Sequence, residues 1–365
     1  LYHFSSIIEV TMELHTSTVH RTGYIDQLRG LAVTGMITAH ALFFFHTGTN
    51  VVLNAIQRGL NISTLTLFVF VAGLSASHYH DATNHVPTRH LVRPVLRRIF
   101  ILYVAYLVCA LVQVTSQAFT STPELVTVQI IPAILMLAPP NFTEYIPLFI
   151  LLAAVSLPLR SIYRVTGKSL ALTLMAGGCI YLLGYTLYPI DAPSYLAHIK
   201  ALFTGDGSLL RFQLFFYLPI YLIGFWWQHD TDHSHHPFNS PKKLRLIIGA
   251  ALISILSLML GRWYSISALD PLTRWPPSIP FLATGLLVGI SAFTLLPVLN
   301  PFARIKRITD YFGRDALDML VHHLVLLYLY KQLIGVQYGN IFHVFLATVI
   351  LLTITTVLSS LSLTN

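Results

Sequence analysis

Charge is what this chain has least of. Only 10% of its 365 residues are Asp, Glu, Lys or Arg, against about 25% in an average soluble protein. That scarcity, with 55% hydrophobic residues and a mean hydropathy of +0.69, excludes an ordinary water-soluble domain. It points to an all-α polytopic membrane bundle. Cysteine is nearly absent. Cys109 and Cys179 both fall in apolar runs, which leaves neither a disulfide framework nor a zinc site. No aromatic-plus-basic motif of a nucleic-acid module is present. The net charge of +8 therefore reads as topology signals and anion sites in short loops, not as a nucleic-acid surface. No internal repeat or low-complexity tract stands out. Residues 1–23 lack a long apolar core, so no cleavable signal peptide is expected there. They read as a loose cytoplasmic leader, with Met12 a candidate start, before a single transmembrane domain over 24–361 and a tail at 362–365.

What is present in quantity is apolar runs. Eleven are candidates for spans, near 28–46, 62–77, 98–114, 125–138, 145–159, 168–188, 209–228, 243–261, 278–298, 316–334 and 341–361. Loop charge tests the count, because cytoplasmic loops carry the excess of Lys and Arg. With eleven spans and a cytoplasmic N-terminus, the basic loops 160–168, 229–245 and 299–314 fall outside. Removing one span between 98 and 159 returns all three to the inside, beside 78–98. The weakest run is 125–138, which is short, contains Pro132 and ends at Pro139-Pro140. We read it as a re-entrant or interfacial helix. About ten spans result, with both termini cytoplasmic.

The first span, Tyr24 to Phe45, carries Asp26, Arg29 and His40. Titratable groups inside a bilayer are costly and carry a functional hypothesis by default. Arg29 and His40 are eleven positions apart, so they return to nearly one helix face about 16 Å apart along the axis. Asp26 lies one turn before Arg29 and can pair with it. A neutral imidazole facing a wet cavity suits proton abstraction from a hydroxyl; a packing histidine is the plain alternative.

Three further stretches bear on chemistry. The loop from His78 to Arg98 holds Arg89, Arg93, Arg97 and Arg98 with four histidines. It reads either as a lipid-facing positive flank or as a phosphate clamp, since arginine forks match phosphate oxygens. On the outer side Glu144 precedes a span in PPNFTEYIPLF, placed to orient a base, bind a sugar hydroxyl or simply meet water. The segment FGRDALDMLVHH brings His322 and His323 into a late span, and one of them is expected in the cavity of His40. Asp315 and Asp318 there are accounted for by the helix dipole. The His- and Asp-rich loop HDTDHSHHP that begins at His229 has no zinc spacing, so no metal is expected.

Taken together, IDQLRG with His40, LFVFVAGLSAS at 67–77, RPVLRRIFILYVAY and GRDALDMLVHH resemble four motifs of the acyltransferase-3 superfamily of integral-membrane acyltransferases. PPNFTEYIPLFILL resembles the OpgC-like branch, which succinylates osmoregulated periplasmic glucans. RWPPSIPFL is similar to glucosaminide N-acetyltransferase-like relatives, but those carry Asn where this chain has His40. Ala316 and Leu320 depart from the Ser and aromatic residue of the late motif. The resemblance implies ten spans, acyl-CoA as a co-substrate bound from the cytoplasm, no tightly bound cofactor, and a carbohydrate acceptor outside a bacterial inner membrane. It implies His40 and Arg29 at the reaction centre and Arg93, Arg97 and Arg98 on the CoA. Asp26 and His323 are the expected supporting residues, and Glu144 is the expected catalytic acid by position. The rival readings are a proton-coupled organic-anion transporter, which lacks its usual internal duplication, and a non-catalytic membrane protein.

Overall fold

A computed structural model describes residues 23–118, 130–137, 139–166, 169–205, 212–229, 241–264, 273–299 and 303–363. Residues 1–22 of the expected leader, the end of the tail at 364–365 and nearly all of the HDTDHSHHP loop lie outside the described residues, and Gly23 opens the first helix. Twelve named helices follow one another: α1 Gly23–Phe45, α2 Val51–Ala82, α3 Thr88–Ala118, α4 Tyr145–Thr166, α5 Leu170–Leu187, α6 Ser194–Phe203, α7 Leu214–His229, α8 Pro241–Tyr264, α9 Ile279–Leu299, α10 Ala303–Arg314, α11 Ala316–Leu333 and α12 Ile341–Leu363. The protein is an all-α polytopic membrane bundle. Among the described residues, six helices (α1 to α5 and α12) are long and apolar enough to cross a membrane by length and composition.

The apolar side chains divide between a core and a lipid-facing belt. α1, α2 and α7 are largely buried, and Trp226, Trp227, Phe70, Phe216 and Leu28 are almost wholly enclosed. α5, α8 and α12 instead present Met175, Leu182, Leu252, Met259, Phe342 and Phe345 outward. Helices apolar on all sides fit a bilayer rather than water.

Two helix crossings fix the centre, and each is permitted by glycine. A Cβ on Gly73 of α2 would lie 2.2 Å from the Tyr221 carbonyl oxygen of α7, and one on Gly224 would lie 2.1 Å from that of Phe70. The second crossing joins α1 to α10. A Cβ on Gly313 would sit 1.6 Å from the Asp26 carbonyl oxygen, and one on Gly30 would sit 2.0 Å from that of Thr309. Close approach of this kind is what small residues allow between packed helices.

Several boundaries differ from the sequence expectation. α2 starts eleven residues before the apolar run at 62–77. Asn50 caps it, its side-chain oxygen accepting from Val52 and Leu53 N–H, and the polar first turns supply Gln57 and Asn61 to a cavity. The stretch 299–314, expected as a loop, contains α10, which is strongly amphipathic; its polar residues hid it from a search for apolar runs. The stretch between the apolar runs 168–188 and 209–228 likewise contains α6. Of the expected re-entrant segment 125–138, residues 130–137 are described and form one short helical turn. Tyr103 and Tyr106 of α3 donate hydroxyls to the carbonyls of Ile134 (2.9 Å) and Ala133 (2.5 Å) and hold it against the bundle.

From the sequence Arg160 counts only as one charge of the basic loop 160–168. It is buried, and its Nη2 donates to the carbonyls of Thr83 (2.6 Å) and Val86 (3.0 Å). Thr83 is the C-cap of α2, where a cation is favoured, and Val86 lies in the turn beyond it, so Arg160 of α4 secures the turn that leads into α3.

Candidate active site

Two cavities open along α1. The first has a volume of about 850 Å³ and lies at the end of the bundle that carries Arg29. Arg93, Arg97 and Arg98 of α3 line it together with Arg29. Arg93 and Arg97 share a face because they are one turn apart. His90, one of the four histidines of the same basic stretch, and Arg314 join them. Arg314 arrives through the Gly30–Gly313 crossing, which brings the end of α10 against the first turns of α1. Arg29 is held in place: Nη1 donates to Asp26 Oδ1 and Nη2 to Ser75 Oγ, both at 2.9 Å. Asp26 thus orients Arg29, and Ser75 belongs to the small-residue end of LFVFVAGLSAS. The first cavity is a cluster of arginine forks opening onto an apolar floor of Phe68, Val71, Ile101 and Phe149.

The second cavity, about 450 Å³, lies towards the other end of α1 and is lined by His40 and Glu144. Its walls mix amides and hydroxyls (Gln57, Asn61, Gln113, Ser116) with aromatic rings (Phe43, Phe142, Trp275). Arg274 and Lys331 add two cations. The Arg274 guanidinium stacks 5.0 Å from the Trp275 ring centre and 5.2 Å from that of Phe212, in the range of cation–π attraction.

Behind His40 stands His323. His40 Nδ1 lies 3.0 Å from His323 Nε2, and His323 Nδ1 lies 3.0 Å from the Met319 carbonyl oxygen. A carbonyl only accepts, so His323 Nδ1 carries a proton. In the neutral ring His323 Nε2 is then a lone-pair acceptor, and the contact between the rings is His40 Nδ1–H donating to it. His40 Nε2 is left unprotonated. The chain carbonyl–imidazole–imidazole does for His40 what an orienting carboxylate does for the base of a hydrolytic triad: it fixes tautomer and direction. His323 has no exposed surface, so the arrangement is enclosed. Its neighbour His322 faces away, its Nδ1 3.1 Å from Ser359 Oγ of α12. On the chamber side, the ring of Phe142 packs edge-on to His40 with centroids 4.7 Å apart. Phe142 holds a positive φ of 69°, rare for a bulky residue, within a cluster that includes Phe43 and Phe44.

The residues expected from the sequence therefore divide into two groups on one axis. Arg29, Asp26, Arg93, Arg97 and Arg98 gather at the first cavity; His40, His323 and Glu144 gather at the second. Glu144 shares the chamber with His40, but the side chain hydrogen-bonded to His40 is His323. Glu144 immediately precedes α4, where the helix dipole favours a carboxylate. Among the described residues no group of three potential metal ligands is present.

No curated protein and no solved structure matches the chain significantly. A family model described as an acyltransferase domain, Acyl_transf_3, matches residues 22–363. That span takes in both cavities and every helix that lines them, and the chain belongs to the acyltransferase-3 family of membrane acyltransferases.

Proposed function

We propose that the chain transfers an acyl group, acetyl or succinyl, from cytosolic acyl-CoA to a hydroxyl of a glycan outside the cytoplasmic membrane of a bacterium. In this reading about ten helices cross the bilayer with both termini inside, so that Arg29 lies at the cytoplasmic end and His40 towards the outside. CoA phosphates lie against Arg93, Arg97 and Arg98, and Arg29 and Arg314 complete the basic wall. The acceptor enters the outer chamber, whose amides, hydroxyls and rings suit a polyhydroxylated ligand. OpgC-like glucan succinylation is the specific form that the PPNFTEYIPLF stretch favours.

The reaction is a direct transfer. His40 Nε2 takes the proton of the acceptor hydroxyl as its oxygen attacks the thioester carbonyl. The tetrahedral intermediate collapses with cleavage of the C–S bond, and the CoA sulfur leaves with the proton from His40. An ester and free CoA are the products. Imidazolium formed at His40 shares its Nδ1 proton with His323, which spreads the charge without moving either ring.

The observation that carries this reading is the pairing of the two chambers: a basic one sized for a phosphorylated donor and a polar one holding an oriented base, both opened along α1. The test is thermal unfolding of the full chain with CoA. CoA raises the unfolding temperature of the wild type, by linkage worth about 2.7 kcal/mol at a hundredfold excess over Kd. The double variant Arg97→Ala, Arg98→Ala loses the shift. A wild type indifferent to CoA contradicts the proposal.

A further inference from the structure

The two cavities have two lining residues in common, Met36 and Tyr145. Met36 stands seven residues after Arg29 and four before His40, on the same face of α1. Tyr145 is the first residue of α4. Both are almost fully buried, so a group moving from the arginine cluster to His40 meets this pair. Met36 is unbranched and repacks readily; it can turn aside without backbone movement. Tyr145 is unusual among its neighbours. Tyr103, Tyr106 and Tyr328 each donate a hydroxyl to a main-chain carbonyl. The Tyr145 hydroxyl is buried and has no hydrogen-bond partner among the described residues. A buried donor left without a partner is costly and calls for an explanation. A carbonyl oxygen passing between the chambers supplies one. Beyond the pair, the Phe142 ring packs against His40 and is itself flanked by the Phe43 and Phe44 rings.

We propose that Met36 and Tyr145 form a sieve that sets which acyl group reaches His40. The Tyr145 hydroxyl donates to the acyl carbonyl as the thioester is drawn between the chambers, and the Met36 side chain limits the acyl group to a few carbons. The inference rests on the acyl-CoA reading above and adds its specificity determinants.

The experiment compares transfer of label from acetyl-, butyryl- and octanoyl-CoA to the glycan fraction of membranes containing the full chain, with CoA binding as the check on folding. The wild type prefers acetyl to octanoyl. Met36→Ala raises butyryl transfer relative to acetyl, and Met36→Trp lowers it, with CoA binding unchanged in both. Tyr145→Phe slows all three donors alike, by about five- to tenfold, the worth of one neutral hydrogen bond, and leaves the length profile as in the wild type. An unchanged profile in both Met36 variants, with CoA still bound, overturns the sieve while leaving the acyltransferase reading intact. Full rate in Tyr145→Phe overturns the role of its hydroxyl. No transfer by the wild type from any of these donors or from succinyl-CoA overturns the reading beneath.

Discussion

The Met319 carbonyl accepts from His323 Nδ1 at 3.0 Å, and this one bond propagates through His323 to leave the outer nitrogen of His40 free for a proton. Replacing His323 with Ala removes the acceptor that holds His40 Nδ1–H. The ring then samples the wrong tautomer, and acyl transfer falls by about 10²-fold or more, as when the orienting group of a triad is lost. Removing His40 itself costs about 10²–10⁴-fold, the usual worth of a positioned base. His322→Ala leaves transfer unchanged, because that ring meets Ser359 and not the chamber. Initial rates on the three variants check this; equal losses in His322→Ala and His323→Ala contradict the assignment. At this scale the sequence was partly legible. The eleven-residue spacing of Arg29 and His40 is a helical repeat and could be read directly. Adjacent His322 and His323 differ by about 100° around the helix, and choosing between them required the packing of α11 against α1 and α12. The sequence offers both Glu144 and His323 as partners for His40, and only the packing places the His323 ring within hydrogen-bond distance of it.

At the scale of the element, α1 and α10 approach so closely that Gly30 and Gly313 have no room for a methyl group. Gly313→Ala forces the Asp26 turn outward, which disturbs the Asp26–Arg29 pair and the position of Arg314 together. The expected loss is about 1–3 kcal/mol, the cost of overpacking a close contact, with weaker CoA binding. Gly249→Ala on α8 is the control: nothing lies within 4 Å of a Cβ there, and helical Gly→Ala where the methyl has room is neutral or stabilising by up to about 1 kcal/mol. Unfolding of the two variants in one detergent separates them, and a harmless Gly313→Ala contradicts the crossing. The long apolar helices were legible from composition alone. α10 was not, because its polar face masks its period in a search for membrane spans, and glycine partners 283 positions apart leave no trace in either local sequence.

At the scale of the whole molecule, the arrangement is a divided path. Basic side chains gather at one end, an oriented imidazole stands towards the other, and the helix carrying His40 forms part of both chambers. Loop charge anticipated which end is basic, since Arg93, Arg97 and Arg98 lie in sequence beside a turn that Arg160 secures. The division of the interior into two chambers was not legible, because Met36 and Tyr145 are ordinary apolar-run residues until α1 and α4 are packed together. The most direct measurement of the central claim uses inside-out membrane vesicles. Labelled acyl-CoA is supplied to the exposed cytoplasmic face, and label is followed into the glycan fraction enclosed within. The wild type acylates the enclosed glycan, His40→Ala does not, and the Arg97→Ala, Arg98→Ala variant recovers transfer only at raised acyl-CoA. Full transfer by His40→Ala, or label reaching the glycan only when acyl-CoA is supplied to the opposite face, would contradict the account.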